Sequence, residues 1–286
     1  MRRLDGAPVE GTMTGLAHGS YVPGFIERWP HLVDYVEMPF EQLRHDPTAA
    51  GAQRRVPLIL HCASMSVAGF VRPEEATLDA IEAWATETGT PWIGEHLAYI
   101  LADPPEGGGG PADSPTSLTY TVCPQLSEQT LERVLDNLHF YGNRFAQPII
   151  LENPPQYFHV PGSTMSLAGL TAELCARSDL HLLLDLTHFL VSAMNMGFDA
   201  SRELERLPLE RVVEVHVSGL KLQSGTAWDD HANPAPERVL ELLRQASARA
   251  RPRAVTFEYN WAPDFPDDTL VEQINRVREM LPAARA

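Results

Sequence analysis

Eight short runs of apolar residues recur along the chain, and most are followed by a segment of helical or loop-like composition. Several runs are almost continuously apolar, which is typical of strands buried on both faces. The pattern therefore predicts eight strands, at residues 11–17, 32–38, 56–61, 91–96, 147–152, 180–185, 211–217 and 253–259.

Amphipathic helical patterns lie between the later runs. Residues 73–89 begin with proline and acidic residues and end with glycine, the usual start and stop signals of a helix. Residues 127–145, 235–250 and 267–281 repeat apolar positions at helical spacing. Strands that alternate with helices predict a parallel sheet, and eight such units predict a closed (β/α)8 TIM barrel of the α/β class. The helices expected before residue 60 are short.

One segment, residues 102–117, interrupts this alternation. It contains four consecutive glycines and several prolines and has no apolar periodicity. We interpret it as a flexible loop that follows the fourth strand, or as an insertion without a role. Apart from this segment the barrel pattern covers the chain, so residues 1–286 are expected to form a single TIM-barrel domain.

Charge and composition narrow the partners of the protein. The chain has a formal net charge of −16, which disfavours nucleic acid because such binding requires neutralisation of phosphates. A basic partner or bound cations would offset this charge. No apolar run is long enough for a membrane span, and residues 1–13 lack the apolar stretch of a signal peptide. Three cysteines without a CxxC pair predict free thiols and a cytoplasmic protein.

An imidazole or a carboxylate stands at or beside the end of most predicted strands. In a TIM barrel these ends meet at one mouth, where active sites lie. One such residue alone would be interpreted as a helix cap or a loop start, but caps favour Ser, Thr, Asn and Asp, so the whole set is atypical of caps. The set comprises Glu37, His61, Glu95, His96, Glu152, Asp185, Glu214, His216 and Glu258, with His18 after the first strand.

Crowded carboxylates repel one another unless cations lie between them. The number of candidate ligands exceeds the three or four that one catalytic metal takes from a protein, so two or three ions are predicted. Asp229 and His231 follow the seventh strand two residues apart, and an extended loop would turn both to the same side. Imidazole and carboxylate suit iron, manganese and zinc alike. Iron would activate dioxygen, whereas zinc would favour hydrolysis.

The order and spacing of these motifs resemble a known family, the multinuclear non-heme iron-dependent oxidative enzymes (MNIO). The motifs are LILH, GEH, ILENPP, LLLD with VSAMNMGFD, EVHVSGL, DDH and TFEYN, and together they span most of the chain. The resemblance implies a xylose-isomerase-like (β/α)8 barrel with two or three iron ions, as Fe(II) and Fe(III). It also implies dioxygen-dependent modification, at cysteine, of a ribosomally synthesised precursor peptide (RiPP biosynthesis), often with a small partner protein that binds the leader.

The resemblance further implies roles for individual residues. Glu152 resembles a carboxylate shared by two ions, and Glu152, His96 and Asp229 are the expected catalytic residues. The ligands of the first ion match His61 and His96, those of the second match Asp185, His216 and Glu258, and those of the third match Asp229 and His231.

The chain departs from the family pattern at three positions. His188 stands where the family has an asparagine near the third ion, and we expect it to bind that ion because imidazole is a good iron ligand. Asn260 stands where an aspartate is usual, and Met196 where a histidine is common. Glu95, Asn153 and Asn260 are expected to lie beside the ligands and support them.

Two other functions fit the same residues. A divalent-metal-dependent isomerase or hydrolase of a small substrate would use the same barrel and donors. An isomerase of this kind needs a lysine at the mouth, and only Lys221 lies just past a strand, the seventh. A non-enzymatic metal-binding or peptide-binding scaffold would saturate its ions and leave no open coordination position.

Overall fold

The structure, a computed structural model, describes residues 11–102, 115–260 and 267–281. Twelve strands lie in these ranges, eight of them in a barrel and four in two hairpins. In chain order the strands are β1 (Met13–Ala17), β2 (Tyr35–Pro39), β3 (Leu58–Cys62), β4 (Ile93–His96), β5 (Tyr99–Ala102), β6 (Thr116–Val122), β7 (Ile149–Glu152), β8 (His181–Asp185), β9 (Val212–Val217), β10 (Leu220–Gln223), β11 (Thr226–Asp229) and β12 (Ala254–Phe257).

The eight barrel strands are parallel and close in the order β1-β12-β9-β8-β7-β4-β3-β2. Each of them overlaps one of the eight apolar runs in the sequence, so the predicted (β/α)8 barrel is confirmed. Parallel neighbours require a crossover outside the barrel, and helices or loops supply it between successive strands. The carboxyl ends of all eight strands therefore open at the same mouth.

Nine α-helices lie within the described residues, and they include the four that the sequence predicts at residues 73–89, 127–145, 235–250 and 267–281. The helices before residue 60 are short, as expected. None of the helices in the described ranges combines the length and the apolar character that a membrane crossing requires. The helices are α1 (Val22–Arg28), α2 (Phe40–His45), α3 (Glu75–Thr88), α4 (Glu128–Arg144), α5 (Leu167–Arg177), α6 (Leu186–Met196), α7 (Ala200–Leu204), α8 (Glu237–Ala246) and α9 (Asp267–Met280).

Side-chain caps fix the start of several helices. Ser127 accepts a hydrogen bond from the amide of Thr130 at the start of α4, and Ser166 accepts one from Gly169 at the start of α5. Helix α6 begins directly after β8, and the Asp185 side chain accepts from the His188 amide at 2.6 Å. Such caps satisfy amides that have no partner inside the helix. Asp185 is therefore both the last residue of a strand and the cap of a helix.

Two β-hairpins project beyond the barrel strands. The β10–β11 hairpin turns at Ser224 and Gly225, which both have positive φ angles (51° and 81°), as a two-residue hairpin turn requires. The β5–β6 hairpin encloses most of the segment predicted as a loop. Residues 103–114 of that segment lie outside the described residues. The first and last residues of the predicted loop segment belong to strands, because β5 ends at Ala102 and β6 begins at Thr116.

The barrel interior is filled in layers, as in TIM barrels generally. One layer is mainly apolar and includes Ile59, Ile150 and Leu183. Each of these residues lies two positions before a polar residue on its strand, so alternation places the polar residue in the next layer toward the mouth. A larger apolar core lies between the strands and the surrounding helices. The polar residues of the mouth thus rest on a packed floor.

Candidate metal centre

The polar strand ends converge at the mouth of the barrel, in agreement with the expectation from the sequence. We call nine histidine and carboxylate residues at this mouth the mouth cluster, and most of them are buried. Four groups of three or four histidine and carboxylate side chains at the mouth each place ligand atoms within 4.8 Å of one another. Three of the groups are made from the mouth cluster alone, and the fourth joins Glu37 to His61 and His216. The mouth cluster comprises His61, His96, Glu152, Asp185, His188, His216, Asp229, His231 and Glu258.

Glu152 lies at the centre of the mouth cluster, and its two oxygens face different histidines. Oε2 lies 3.0 Å from Nε2 of His61 and 3.1 Å from Nε2 of His96. Oε1 lies 3.0 Å from Nδ1 of His188 and 3.9 Å from Nδ1 of His216. Glu152 belongs to two of the ligand groups, and a carboxylate in this position is able to bridge two ions.

The first ligand group consists of His61, His96 and Glu152. His96 Nδ1 lies 3.1 Å from the Cys62 carbonyl oxygen, so it donates there and Nε2 is the nitrogen left to bind a metal. Gly94 makes room for the His61 ring, because a Cβ at this position would lie 2.7 Å from a ring carbon. Burial lowers the pKa of His61, but the charge of Glu37 and the hydrogen bond to Glu152 outweigh it and raise the pKa to about 10.

The second ligand group consists of Glu152, Asp185, His216 and Glu258. His216 Nδ1 lies 3.1 Å from Oε2 of Glu258 and 4.0 Å from Oδ2 of Asp185. Burial raises the pKa of Asp185 to about 7, and the neighbouring carboxylates add to the effect. Burial also raises the pKa of Glu258, but the charges of His216 and His231 hold it at about 2. Like charges this close need a cation between them.

The third ligand group consists of His188, Asp229 and His231. Oδ2 of Asp229 lies 3.3 Å from Nε2 of His188 and 2.9 Å from Nε2 of His231. These residues come from the first turn of α6, the end of β11 and the loop beyond it. The position of this group therefore depends on the β10–β11 hairpin as well as on the barrel. His188 Nδ1 faces the Asn153 carbonyl oxygen at 3.0 Å, which directs Nε2 toward Asp229.

Unpartnered atoms show that these groups fit metal ions. Oδ2 of Asp185 and Nδ1 of His216 are buried, yet neither has a hydrogen-bond partner among the described residues. Unpaired buried polar atoms are costly, and a metal ion would satisfy both. Two ligands at right angles on a metal, with bonds of about 2.1 Å, lie about 3 Å apart. Several nitrogen-to-oxygen distances in the mouth cluster have this value.

The sequence of the chain matches one protein family over most of its length. The family described as "RiPP precursor modification enzyme MbnB/TglH/ChrH" matches residues 19–282. The chain belongs to this family. RiPPs are ribosomally synthesised and post-translationally modified peptides, and the matched range covers most of this chain.

Individual relatives in this family carry little functional information. A UPF0276 protein of Caulobacter vibrioides is 29% identical over 272 residues, which are 93% of this chain and 92% of that protein. A UPF0276 protein of Streptomyces avermitilis is 28% identical over 281 residues, or 96% of this chain. The chain spans only 56% of the length of the Streptomyces relative.

Solved structures with the same fold agree with the expected barrel type. A xylose isomerase domain containing protein from Salmonella typhimurium has a TM-score of 0.58 and 16% identity, and the match covers 96% of this chain and 99% of that chain. Endonuclease IV from Thermus thermophilus has a TM-score of 0.55 and 19% identity, covering 93% and 99% of the two chains. At these identities the likeness shows the fold alone, and the xylose-isomerase-like barrel is confirmed.

The three residues expected to support the ligands differ from one another in their contacts. Glu95 is buried and accepts hydrogen bonds from the amides of Ser64 and Met65, so it holds the loop after β3. The Asn153 side chain donates a hydrogen bond to the carbonyl oxygen of Asp185 and accepts one from the amide of Asp185. The Asn260 side chain is exposed, and only its backbone amide reaches the centre, by donating to the carbonyl of His231.

Beneath the mouth cluster lies a second set of buried polar residues, which we call the inner layer: Tyr35, Trp92, Glu214 and Thr256. Glu214 Oε2 accepts from the indole of Trp92 at 2.7 Å, and Oε1 accepts from Thr256 at 2.7 Å and from Tyr35 at 3.3 Å. Burial raises the pKa of Glu214 to about 7, and the charge of Glu37 adds to this.

Two residues near the centre were not among the site residues predicted from the sequence. Glu37 is 2% exposed and lies 2.9 Å from His216, and its position at a strand end was the signal that marked it. Tyr157 stacks on Trp228 with ring centroids 4.8 Å apart, and Trp228 is 44% exposed. Trp228 directly precedes Asp229, so this aromatic pair forms a rim beside the third ligand group.

Proposed function

We propose that this family member is a multinuclear non-heme iron enzyme that uses dioxygen to modify a precursor peptide at cysteine. The observation that carries the proposal is the mouth cluster, in which Glu152 connects ligand groups of mixed imidazole and carboxylate chemistry. Such donors suit iron, and iron supplies redox chemistry with dioxygen and an affinity for thiolate. Two or three ions would be held as Fe(II) and Fe(III).

The residues of the chain have distinct tasks in this proposal. His61, His96 and Glu152 would hold one ion, and the group around Asp185 and His216 would hold its neighbour. The third group would hold another ion, with His188 in place of an asparagine. We propose Glu152, His96 and Asp229 as the catalytic residues, because Glu152 connects two groups and the other two are partly exposed, at 14% and 18%, toward solvent.

The proposed peptide would enter where the mouth cluster meets solvent. The side chains of Asp229 and His231 are 18% and 23% exposed, whereas that of His216 is fully buried. The Tyr157–Trp228 rim beside them offers an aromatic surface for an extended peptide. We further propose a cytoplasmic enzyme, where thiols stay reduced, with a small partner protein that holds the leader.

The decisive experiment combines metal analysis with a mass measurement. Protein reconstituted anaerobically with Fe(II) is expected to bind two or three ions per chain and to consume oxygen with a cysteine-containing peptide encoded by a neighbouring gene. The peptide co-expressed with the enzyme should show a mass shift that its Cys→Ser variant lacks. Protein that holds only zinc and stays inactive after iron reconstitution would contradict the proposal.

A matched pair of variants makes this experiment sharper. His61→Ala removes one ligand of the first group and should abolish both oxygen consumption and the mass shift. Glu132→Gln changes an exposed residue that pairs with Arg177 at 2.5 Å and belongs to none of the ligand groups, and it should leave both unchanged. Loss of activity in both variants would indicate a general folding defect instead of a metal centre.

A metal-dependent hydrolase or isomerase is the second candidate, because zinc and manganese accept the same donors. Lys221, the lysine that an isomerase would need, is exposed on the β10–β11 hairpin, paired with Trp228 across the strands. It does not belong to any of the ligand groups. Turnover of a small substrate with zinc or manganese, without oxygen uptake, would favour this candidate. A metal-binding or peptide-binding scaffold predicts no turnover with any metal.

A further inference from the structure

We infer that Glu37 is a positioning residue that fixes the tautomer of His216, so that Nδ1 of His216 is the atom offered to the second ligand group. This inference rests on the metal centre of the proposed function. It concerns a residue outside the mouth cluster and specifies which nitrogen of His216 binds.

The contact between the two side chains crosses the interior of the barrel. Glu37 lies on β2 and His216 on β9, two strands that are not neighbours in the barrel. Oε2 of Glu37 lies 2.9 Å from Nε2 of His216, and the two residues are 2% and 0% exposed. A hydrogen bond this short between buried groups, joining separate walls of the barrel, fixes the plane of the imidazole ring.

The two nitrogens of His216 face different surroundings. Nδ1 faces three carboxylates of the second group, with Oε2 of Glu258 at 3.1 Å, Oε1 of Glu152 at 3.9 Å and Oδ2 of Asp185 at 4.0 Å. None of these contacts has hydrogen-bond geometry, since Nδ1 has no hydrogen-bond partner among the described residues. Nδ1 therefore points at the space between the carboxylates, where an ion would lie.

A neutral imidazole carries one proton, and the nitrogen that donates a hydrogen bond is the one that cannot bind a metal. Because Glu37 accepts at Nε2, the lone pair remains at Nδ1. No other described side chain could take this role, because Glu214 Oε1 is 3.8 Å from Nε2 and already accepts from Thr256. A carboxylate that accepts from a metal-bound imidazole also raises the basicity of the ring, which strengthens its bond to the metal.

Two other histidines of the mouth cluster offer the opposite ring nitrogen to their ligand groups. His96 and His188 each direct Nδ1 to a backbone carbonyl oxygen, of Cys62 and Asn153, and offer Nε2 to their groups. His216 is turned the other way, because its Nε2 makes the hydrogen bond and its Nδ1 faces the ligand group, and the acceptor of that bond is the carboxylate of Glu37. The structure thus assigns to Glu37 both the orientation and the electronic character of one ligand.

The test uses nitrogen NMR of the full chain, labelled with 15N-histidine and loaded with Zn(II) as a diamagnetic probe. In the wild type, His216 should show a metal-bound Nδ1 and a protonated Nε2. Glu37→Gln keeps an acceptor oxygen at Nε2 and should keep this pattern, with Zn(II) affinity lowered less than about 10-fold. Glu37→Leu removes the acceptor and should lose the pattern, with affinity at the second group lowered about 10–100-fold.

Glu214→Gln is the matched control, because it changes a buried carboxylate of the inner layer that does not accept from His216. It should lower stability but leave the His216 pattern and the number of bound ions unchanged. A wild-type pattern with Nε2 bound to the metal would overturn the inference, as would an unchanged pattern in Glu37→Leu. Loss of an additional ion in Glu37→Gln would also overturn it, since Glu37 would then be a ligand itself.

The experiment separates this inference from the proposed function. If the wild type binds no metal at the mouth, the proposed function fails. If it binds two or three ions but His216 binds through Nε2, the metal centre stands and only the role of Glu37 is wrong.

Discussion

The mouth cluster and the inner layer are both buried and polar, and they lie one step apart on the same strands. Glu214 and Thr256 of the inner layer come two residues before His216 and Glu258 of the mouth cluster. The oxygens of Glu214 have protein donors at 2.7 Å, whereas Oδ2 of Asp185 has no hydrogen-bond partner among the described residues. A buried carboxylate oxygen with a donor of its own helps to stabilise the fold, and one without a donor is available to a cation.

The largest expected effect comes from Glu152→Gln at the centre of the mouth cluster. The substitution keeps the shape but turns one carboxylate oxygen into an amide that cannot bind a metal. We expect at least two fewer ions per chain and a loss of peptide modification greater than about 100-fold, since even residues behind the ligands cost about 10–100-fold. Elemental analysis and peptide mass spectrometry measure both. Full metal content in this variant would show that Glu152 does not connect two ions.

A smaller effect is expected from His188→Ala in the third ligand group. Removing the imidazole takes Nε2 away from Asp229, so one ion should be lost while the other two groups stay filled. His188→Asn, which introduces the residue that the resemblance led us to expect at this position, should retain the ion. Iron titration followed by elemental analysis distinguishes the variants. If iron content and activity are intact in His188→Ala, the histidine only fills space.

Changing the inner layer should affect stability but not metal binding. Trp92→Phe removes the indole donor of Glu214 and leaves Oε2 without that hydrogen bond. A loss of about 1–3 kcal/mol in the free energy of unfolding is expected for such a buried acceptor. Denaturant unfolding of the metal-loaded protein measures this, alongside its iron content. Release of iron from Trp92→Phe would mean that the two layers are not separate in function.

The smallest expected effect is a pH dependence of stability that is stronger in the metal-free protein than in the iron-loaded protein. A buried histidine whose pKa is raised by folding stabilises the folded state fully below about pH 6.5, its unfolded pKa, and stops doing so as pH rises through its folded pKa. The folded pKa values are about 9 for His231 and about 10 for His61. The buried acid Asp185, with a pKa of about 7, acts in the same direction.

The melting temperature of the chelator-treated protein should therefore fall between about pH 6.5 and pH 10. Each kcal/mol lost lowers it by about 2–4 °C in a chain of this size class. The iron-loaded protein should change less, because a metal-bound histidine is already neutral and does not titrate across this pH range. Thermal melts of both forms across this range check the prediction, and parallel curves for the two forms would contradict it.

The barrel could be predicted from the sequence because each strand is a short, nearly continuous apolar run. The mouth could be predicted because a parallel barrel gathers the ends of all its strands. Helix α6 was not predicted: its residues from Leu186 to Ala193 are all buried, so this part shows no polar face. The β10–β11 hairpin was missed although Ser224 and Gly225 form a recognisable turn, because a single exposed hairpin adds little to the apolar pattern.

The pairing of atoms at the centre could not be predicted from the sequence. The position of Glu37 at a strand end marks it as facing the mouth, but the sequence does not show that it reaches His216 on a distant strand. Nor does it distinguish Glu214, which lies on the same strand as His216 and faces the same interior. Only the three-dimensional contacts show that Glu37 pairs with His216, whereas Glu214 accepts from Trp92.

Asp185 couples metal binding at the second ligand group to the opening of the first turn of α6. Its Oδ1 holds the amide of His188 at the start of α6, while its Oδ2 points into the second ligand group. An ion that binds Oδ2 would clamp the carboxylate and with it the first turn of the helix. Arrival and departure of that ion would then set how often this turn opens, so the His188 amide would exchange its proton with solvent more slowly when the centre is filled.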